Sequence, residues 1–217
     1  MTAIETALLA LAVTAALAVQ PWRMLRGTGA VTPLATPLLA TLVILPWLWA
    51  WPIGGNLPVP VQWSGAALAV LMLGWPLAIP VLVATGMSTV LTVHASIGEA
   101  ISSTVWFGVL PATAVLLLGH AVRRAFGANP LAYVFGRAYG VPLLALFGCT
   151  LGSAFVAGAM ARAGDPTGFV AAFLMAMGEA AWTCAIVSML VAWRPQWLAT
   201  WSDTRYLRSQ KSPRRAA

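Results

Sequence analysis

Apolar residues along this chain fall into seven runs, at residues 4–19, 33–51, 61–73, 77–93, 101–122, 141–161 and 169–193, each bounded by Pro, Gly, Arg or a polar cluster. A backbone facing lipid must pair its own polar groups, so runs of this length and apolarity predict helices. The expected fold is all-α, a polytopic membrane bundle of about seven transmembrane segments.

The third and fourth runs are short. Read as one helix they would cover 33 residues, roughly 50 Å at the helical rise, too long for a bilayer core of about 30 Å. Gly74, Trp75 and Pro76 interrupt them, which predicts two segments. The first of these reaches only about 22 Å, so a re-entrant hairpin is the alternative to two full crossings.

Charge decides between one segment and two. With two, the N-terminus lies outside, and Arg23, Arg26, Arg123, Arg124, Arg137 and the six basic residues after the last run share the inner face. Only Arg162 is then outside, an eleven-to-one division that fits the excess of Lys and Arg on cytoplasmic loops. A single long helix leaves three basic residues outside, Arg23 and Arg26 among them. The prediction is a multi-pass inner (plasma) membrane protein with its C-terminus in the cytoplasm. One domain is expected over residues 1–208, and 209–217 read as a disordered basic tail.

Composition strengthens this picture, because charged residues are 8% of the chain and apolar residues 60%, where a soluble domain has about 25% charged. The run 4–19 lacks a basic residue ahead of it and contains Glu5, so it reads as a first helix and not as a cleaved leader. The net charge of +7 reads as an orientation signal and a contact for membrane lipid. No recognition motif accompanies it, so nucleic acid is not an expected partner. Phosphate-loop, HExxH and GxSxG motifs are absent from the sequence, so no enzyme is expected, and any ATP-driven work requires another subunit.

Glu179, about ten residues into the last run, is the most informative side chain. A carboxylate at that depth costs roughly 2.5–3.5 kcal/mol on insertion scales unless it faces the bundle interior, water or a partner. It serves either a solute site, where Glu179→Gln would weaken cation binding, or helix packing alone. His94 and Glu99 flank the outer joint between the fourth and fifth runs, and both side chains can ligate a divalent cation. A solvated interfacial loop is the alternative. Cys149 and Cys184 fall at comparable depths on consecutive helices and read as buried thiols, with a soft-metal pair as the alternative. Small residues four apart, as at Ala12 and Ala16 or Gly148 and Gly152, let helices approach closely. Trp47, Trp49 and Trp51, and Trp193, Trp197 and Trp201, read as interfacial belts.

Three stretches carry a family resemblance. PVQWSGAALAVLMLGWPLAI, at 60–79, resembles the segment around the second histidine in the membrane substrate-specific components of cobalt and nickel energy-coupling-factor transporters, the CbiM-like permeases. The ending from Ala176 to Ser209, with its EA-containing helix, RP-x-W and an acidic residue before RYL, looks like that of a less-characterised branch. NPLAYVFGRAYG, at 129–140, is similar to that branch's loop before the sixth helix. The resemblance implies about seven helices, an outside N-terminus, a transmembrane coupling subunit and ATPase subunits supplied by other chains, and no cofactor beyond a transition-metal cargo.

It departs where the metal ligands should be. The start is Met1-Thr2 where the metal-transporting relatives have Met-His, and Gln62 stands at the histidine position. The expectation is therefore a transport subunit binding a small solute from the outer side, with Gln62, Trp63 and Glu179 in the pocket and His94 and Glu99 as candidate metal ligands at its mouth. A non-transporting assembly protein packed against partner subunits is the alternative.

Overall fold

The computed structural model describes residues 2–25, 33–51, 62–156, 167–202 and 206. Among them every regular element is helical: α1 (Thr2–Ala18), α2 (Ala35–Ala50), α3 (Ala66–Leu73), α4 (Trp75–Thr92), α5 (Ile97–Phe126), α6 (Ala132–Val156) and α7 (Thr167–Trp193). Helices α4 to α7 are each long and apolar enough to cross a membrane, and α1 and α2 are shorter apolar helices. Arg26, Arg162, residues 52–61 and the basic tail lie outside the described residues.

Large apolar side chains cover the described surface, and small ones line much of the interior. Leu39, Val43, Ile44, Trp47, Leu117, Phe155 and Trp182 point outward, while Ala16, Ala66, Ala67, Ala78 and Ala112 are fully buried. Small side chains inside let backbones come together, and large apolar ones outside suit a lipid surrounding. Ala12 and Ala16 pack inward with Ala66, Ile79 and Leu82, so that face of α1 serves internal packing. Buried hydroxyls return to their own helices: Thr41 donates to Pro37, Thr85 to Val81 and Thr89 to Gly86 carbonyls.

Two proline positions shape the long helices. The stretches Thr104–Val109 and Ala132–Gly140 are wound as π-helix, with the Leu110 N–H on the Val105 carbonyl and the Val141 N–H on the Gly136 carbonyl. Each is followed within two residues by a proline, Pro111 or Pro142. Proline has no N–H and its ring crowds the carbonyl four residues back, and a wider turn accommodates both effects. The second wide stretch corrects the loop expected at 129–140: most of it is helix, and α6 begins at Ala132.

The third and fourth runs are two separate helices broken at Gly74, as expected, but the third starts later than its apolar run. α3 has eight residues, about 12 Å, less than half a bilayer core. It is a half-helix, and Gln62 to Gly65 ahead of it are not helical. Glycines with positive φ stand at both ends, Gly65 at 65° and Gly74 at 79°, conformations that side chains disfavour. At Gly74 the chain reverses next to Met24 and Ala199, so the joint after α1, the α3–α4 break and the segment after α7 share one end of the bundle. The opposite end is tied by Glu5, whose Oε1 accepts from Ser102 Oγ and Trp106 Nε1, both at 3.0 Å.

Candidate binding site at the break before helix α3

A helix that starts inside a bundle exposes N–H groups with no intrahelical partner. Just ahead of α3, the N–H groups of Ser64 and of the N-cap Gly65 are taken by Glu179 from α7: Ser64 N donates to Oε2 at 2.8 Å and Gly65 N to Oε1 at 2.7 Å. A carboxylate at a helix N-terminus is favoured both by hydrogen bonding and by the helix dipole. The side chain is 4% exposed, so these bonds are shielded from competition by water. Glu179 is thus the cap of a helix to which it is not covalently adjacent.

The rest of the break is equally well satisfied. Ser64 Oγ donates to the Phe107 carbonyl and accepts from Ala66 N. That carbonyl is free because residue 111, four positions on, is proline. The Ser64 carbonyl accepts from Trp49 Nε1 at 2.9 Å. Four separate segments therefore meet at Ser64.

This corrects the reading of Trp49. It is 4% exposed whereas Trp47 is 76% exposed, so Trp49 is an interior anchor and only its neighbours face outward. Trp201 is likewise buried, stacked on Tyr206 at 4.5 Å and edge-on to Tyr133. A tryptophan has one donor, and in each helix-flanking cluster the spacing alone does not tell which ring turns inward.

Beside the capped break lies a cavity of about 360 Å³ bordered by Leu48, Trp63, Gly65, Leu68, Glu179, Trp182, Thr183 and Ile186. Its walls come from α2, α3 and α7. Trp63 and Leu48 also border a second depression of about 440 Å³ with Val43, Ile44, Trp47 and Trp51, so the space continues toward the exposed apolar side of α2. The lining is apolar and aromatic except at Glu179 and Thr183. Such a space accepts a small, mostly apolar body with a polar end.

Of the expected site residues, Trp63 and Glu179 come together. Gln62 precedes Trp63 and is half-buried, but it does not border the cavity. His94 and Glu99 also lie away from it. His94 is exposed with φ 54° at the turn after α4. Glu99 folds back on Ser96, accepting from its N–H at 2.8 Å and its hydroxyl at 2.9 Å, while Ser96 Oγ accepts from Glu99 N. That is a capping box, which starts α5. Cys149 and Cys184 are free thiols, the latter donating weakly to the Val134 carbonyl. Among the described residues no group of three or more His, Cys, Asp or Glu side chains is placed to hold a metal ion.

The residues that sequence reasoning missed here are Ser64, Gly65 and Phe107. The glycine before an apolar run and the proline four residues after Phe107 were the available signals. Together the fold and this site define an all-helical bundle with four membrane-length apolar helices and an interior broken helix. No protein-family model, curated protein or solved structure matches the chain.

Proposed function

We propose that the chain is a membrane-embedded subunit of an energy-coupling-factor-like transporter, which holds a small solute beside the α3 break and depends on other chains for coupling and ATP hydrolysis. The observation that carries the reading is the half-helix whose N-terminal amides are held by Glu179 at the wall of a cavity. Interrupted helices with such termini line solute sites in transporters, because irregular backbone inside a membrane is tolerated where it is buried or borders a cavity. The apolar, tryptophan-rich lining favours an organic solute with a hydrogen-bond donor. It gives a bare divalent cation one carboxylate, whose two oxygens already accept backbone bonds.

The test combines solute recovery with partner recovery. Leu48→Trp adds bulk from the partly exposed side of the cavity and leaves the Glu179 contacts untouched. Protein isolated from its native membrane is expected to carry a small molecule, seen by mass spectrometry of an organic extract, that the variant loses at least about tenfold, one missing 1.4 kcal/mol. A coupling subunit and ATPases should co-purify with both. Identical extracts from the two proteins, with no ATPase recovered, would reject the transport reading.

A second reading has its own support. Because both Glu179 oxygens are satisfied within the chain, the carboxylate is also what a purely architectural clamp would contain. An assembly protein of this kind would co-purify with one stable complex and without ATPase subunits.

A further inference from the structure

Arg137 entered the charge count as one of the residues that orient the chain, but it is 7% exposed. Its guanidinium lies along α5 at Gly119, where an added Cβ would come 3.0 Å from Nε. The carbon of the guanidinium is 5.8 Å from the centre of the Tyr133 ring. That ring is held in place by the Tyr133 hydroxyl on Thr200 Oγ1 at 2.7 Å and by edge contacts to Trp201 and Tyr206. Nε itself has no hydrogen-bond partner. A buried donor on a cation without an acceptor costs free energy, more than a neutral one would.

Arg137 borders a narrow cleft with Gly119, Val122, Arg123, Tyr133 and Tyr206. Arg123 is exposed at its rim. Among the described residues no carboxylate borders it. The space at its bottom is about that of one water-sized group, so a single oxygen can reach Arg137 while the remainder of an oxyanion stays near Arg123. The cleft lies at the end of the bundle where Ala199 meets Gly74 and Thr200 meets Tyr133, an end that also holds Arg23, Arg124 and Arg194.

We infer that this cleft is a binding site for a phosphate oxyanion, with Arg137 as the buried donor and Arg123 as the rim charge. Arginine pairs with phosphate through directed, charge-assisted bonds. Basic pockets between helices at the cytoplasmic side of a bundle accept anionic headgroups. The site is separate from the cavity at Glu179, so it stands whether or not that cavity holds a solute.

The experiment reconstitutes the full chain in nanodiscs of phosphatidylcholine containing a minor fraction of phosphatidylglycerol, and counts lipids retained after release by native mass spectrometry. Phosphatidylglycerol is expected to be enriched on the wild type, and Arg123→Gln to reduce that enrichment about fivefold, the worth of one basic residue near a membrane surface. Arg137→Gln should abolish it, and Arg137→Lys, which keeps the charge, should restore part. Arg124→Gln, exposed and outside the cleft, should leave it unchanged.

Inorganic phosphate, titrated into the nanodiscs that contain phosphatidylglycerol and, for its own binding, into nanodiscs of phosphatidylcholine alone, separates the sources. Displacement of phosphatidylglycerol by millimolar phosphate favours a free oxyanion, and retention favours the lipid headgroup. Enrichment that falls equally with Arg124→Gln would show diffuse surface charge and overturn the site. So would phosphatidylglycerol held no better than phosphatidylcholine together with no phosphate binding. Arg123→Gln keeps the test decisive should Arg137→Gln fail to fold.

Discussion

Glu179→Ala is expected to destabilise the folded protein by about 2–6 kcal/mol, since it leaves two buried amides without an acceptor at about 1–3 kcal/mol each. The amides are those of Ser64 and Gly65, both bonded to the same carboxylate. Glu179→Gln keeps one acceptor oxygen and places a donor amide where the other stood, so it should fall between Ala and wild type. Glu179→Asp removes one methylene, drawing the carboxylate back from α3, and should behave more like Ala than like Gln. Reversible unfolding in mixed micelles, followed by far-ultraviolet circular dichroism, measures the order. A wild-type stability in Glu179→Ala would show that the contacts at the start of α3 carry no weight. Solute binding, measured separately in variants that remain folded, reports on function.

Gly86→Ala should be more severe. A Cβ there would lie 1.7 Å from Thr104 Oγ1 and 2.9 Å from Thr104 Cβ. Turning the threonine relieves only the first contact, and it breaks the bond from Thr104 Oγ1 to the Ala100 carbonyl. The second contact is between α4 and the wide segment of α5, where Gly86 and Thr104 are both buried. Overpacking by one methyl costs about 1–3 kcal/mol where neighbours can shift, and here the neighbour's Cβ is set by its backbone. The expected outcome is loss of monodisperse protein on size exclusion after detergent extraction. Thr104→Ala in the same chain removes the hydroxyl and methyl but leaves Cβ, so recovery should be partial, whereas Thr104→Gly should recover more. Full expression and unaltered melting of Gly86→Ala alone would refute this account of the helix crossing.

Much of the architecture was legible from residue types. Apolar runs located the helices, and Gly74-Trp75-Pro76 marked the break between α3 and α4. What it did not reveal was where α3 starts, because the apolar character of Val61 to Leu73 continues through the non-helical Ser64 and Gly65. A positive φ at Gly65 ends the ambiguity, and only a backbone shows it. Glu179 stood out as a charge in an apolar run, yet its partners are backbone amides 115 and 114 residues away in sequence. Amides are carried by nearly every residue and leave no compositional trace. His94 and Glu99 attracted attention as ligand types, but Glu99 with Ser96 three residues earlier also spells a capping box, and that local use prevails. Arg137 was hidden by the opposite effect: as one of many basic residues near helix ends, nothing in its neighbours distinguished a buried guanidinium from an exposed one.

The half-helix has a further implication for how the protein is made. Its upper end waits for Glu179, and its lower carbonyls accept from the segment after α7, Met72 from Ala199 N and Leu71 from Thr200 Oγ1 across 129 residues. While the ribosome is still extending α5 and α6, neither terminus of α3 has its final partners. The segment can settle only once residue 200 has emerged, so the stretch after α7 acts as the closing latch of α3.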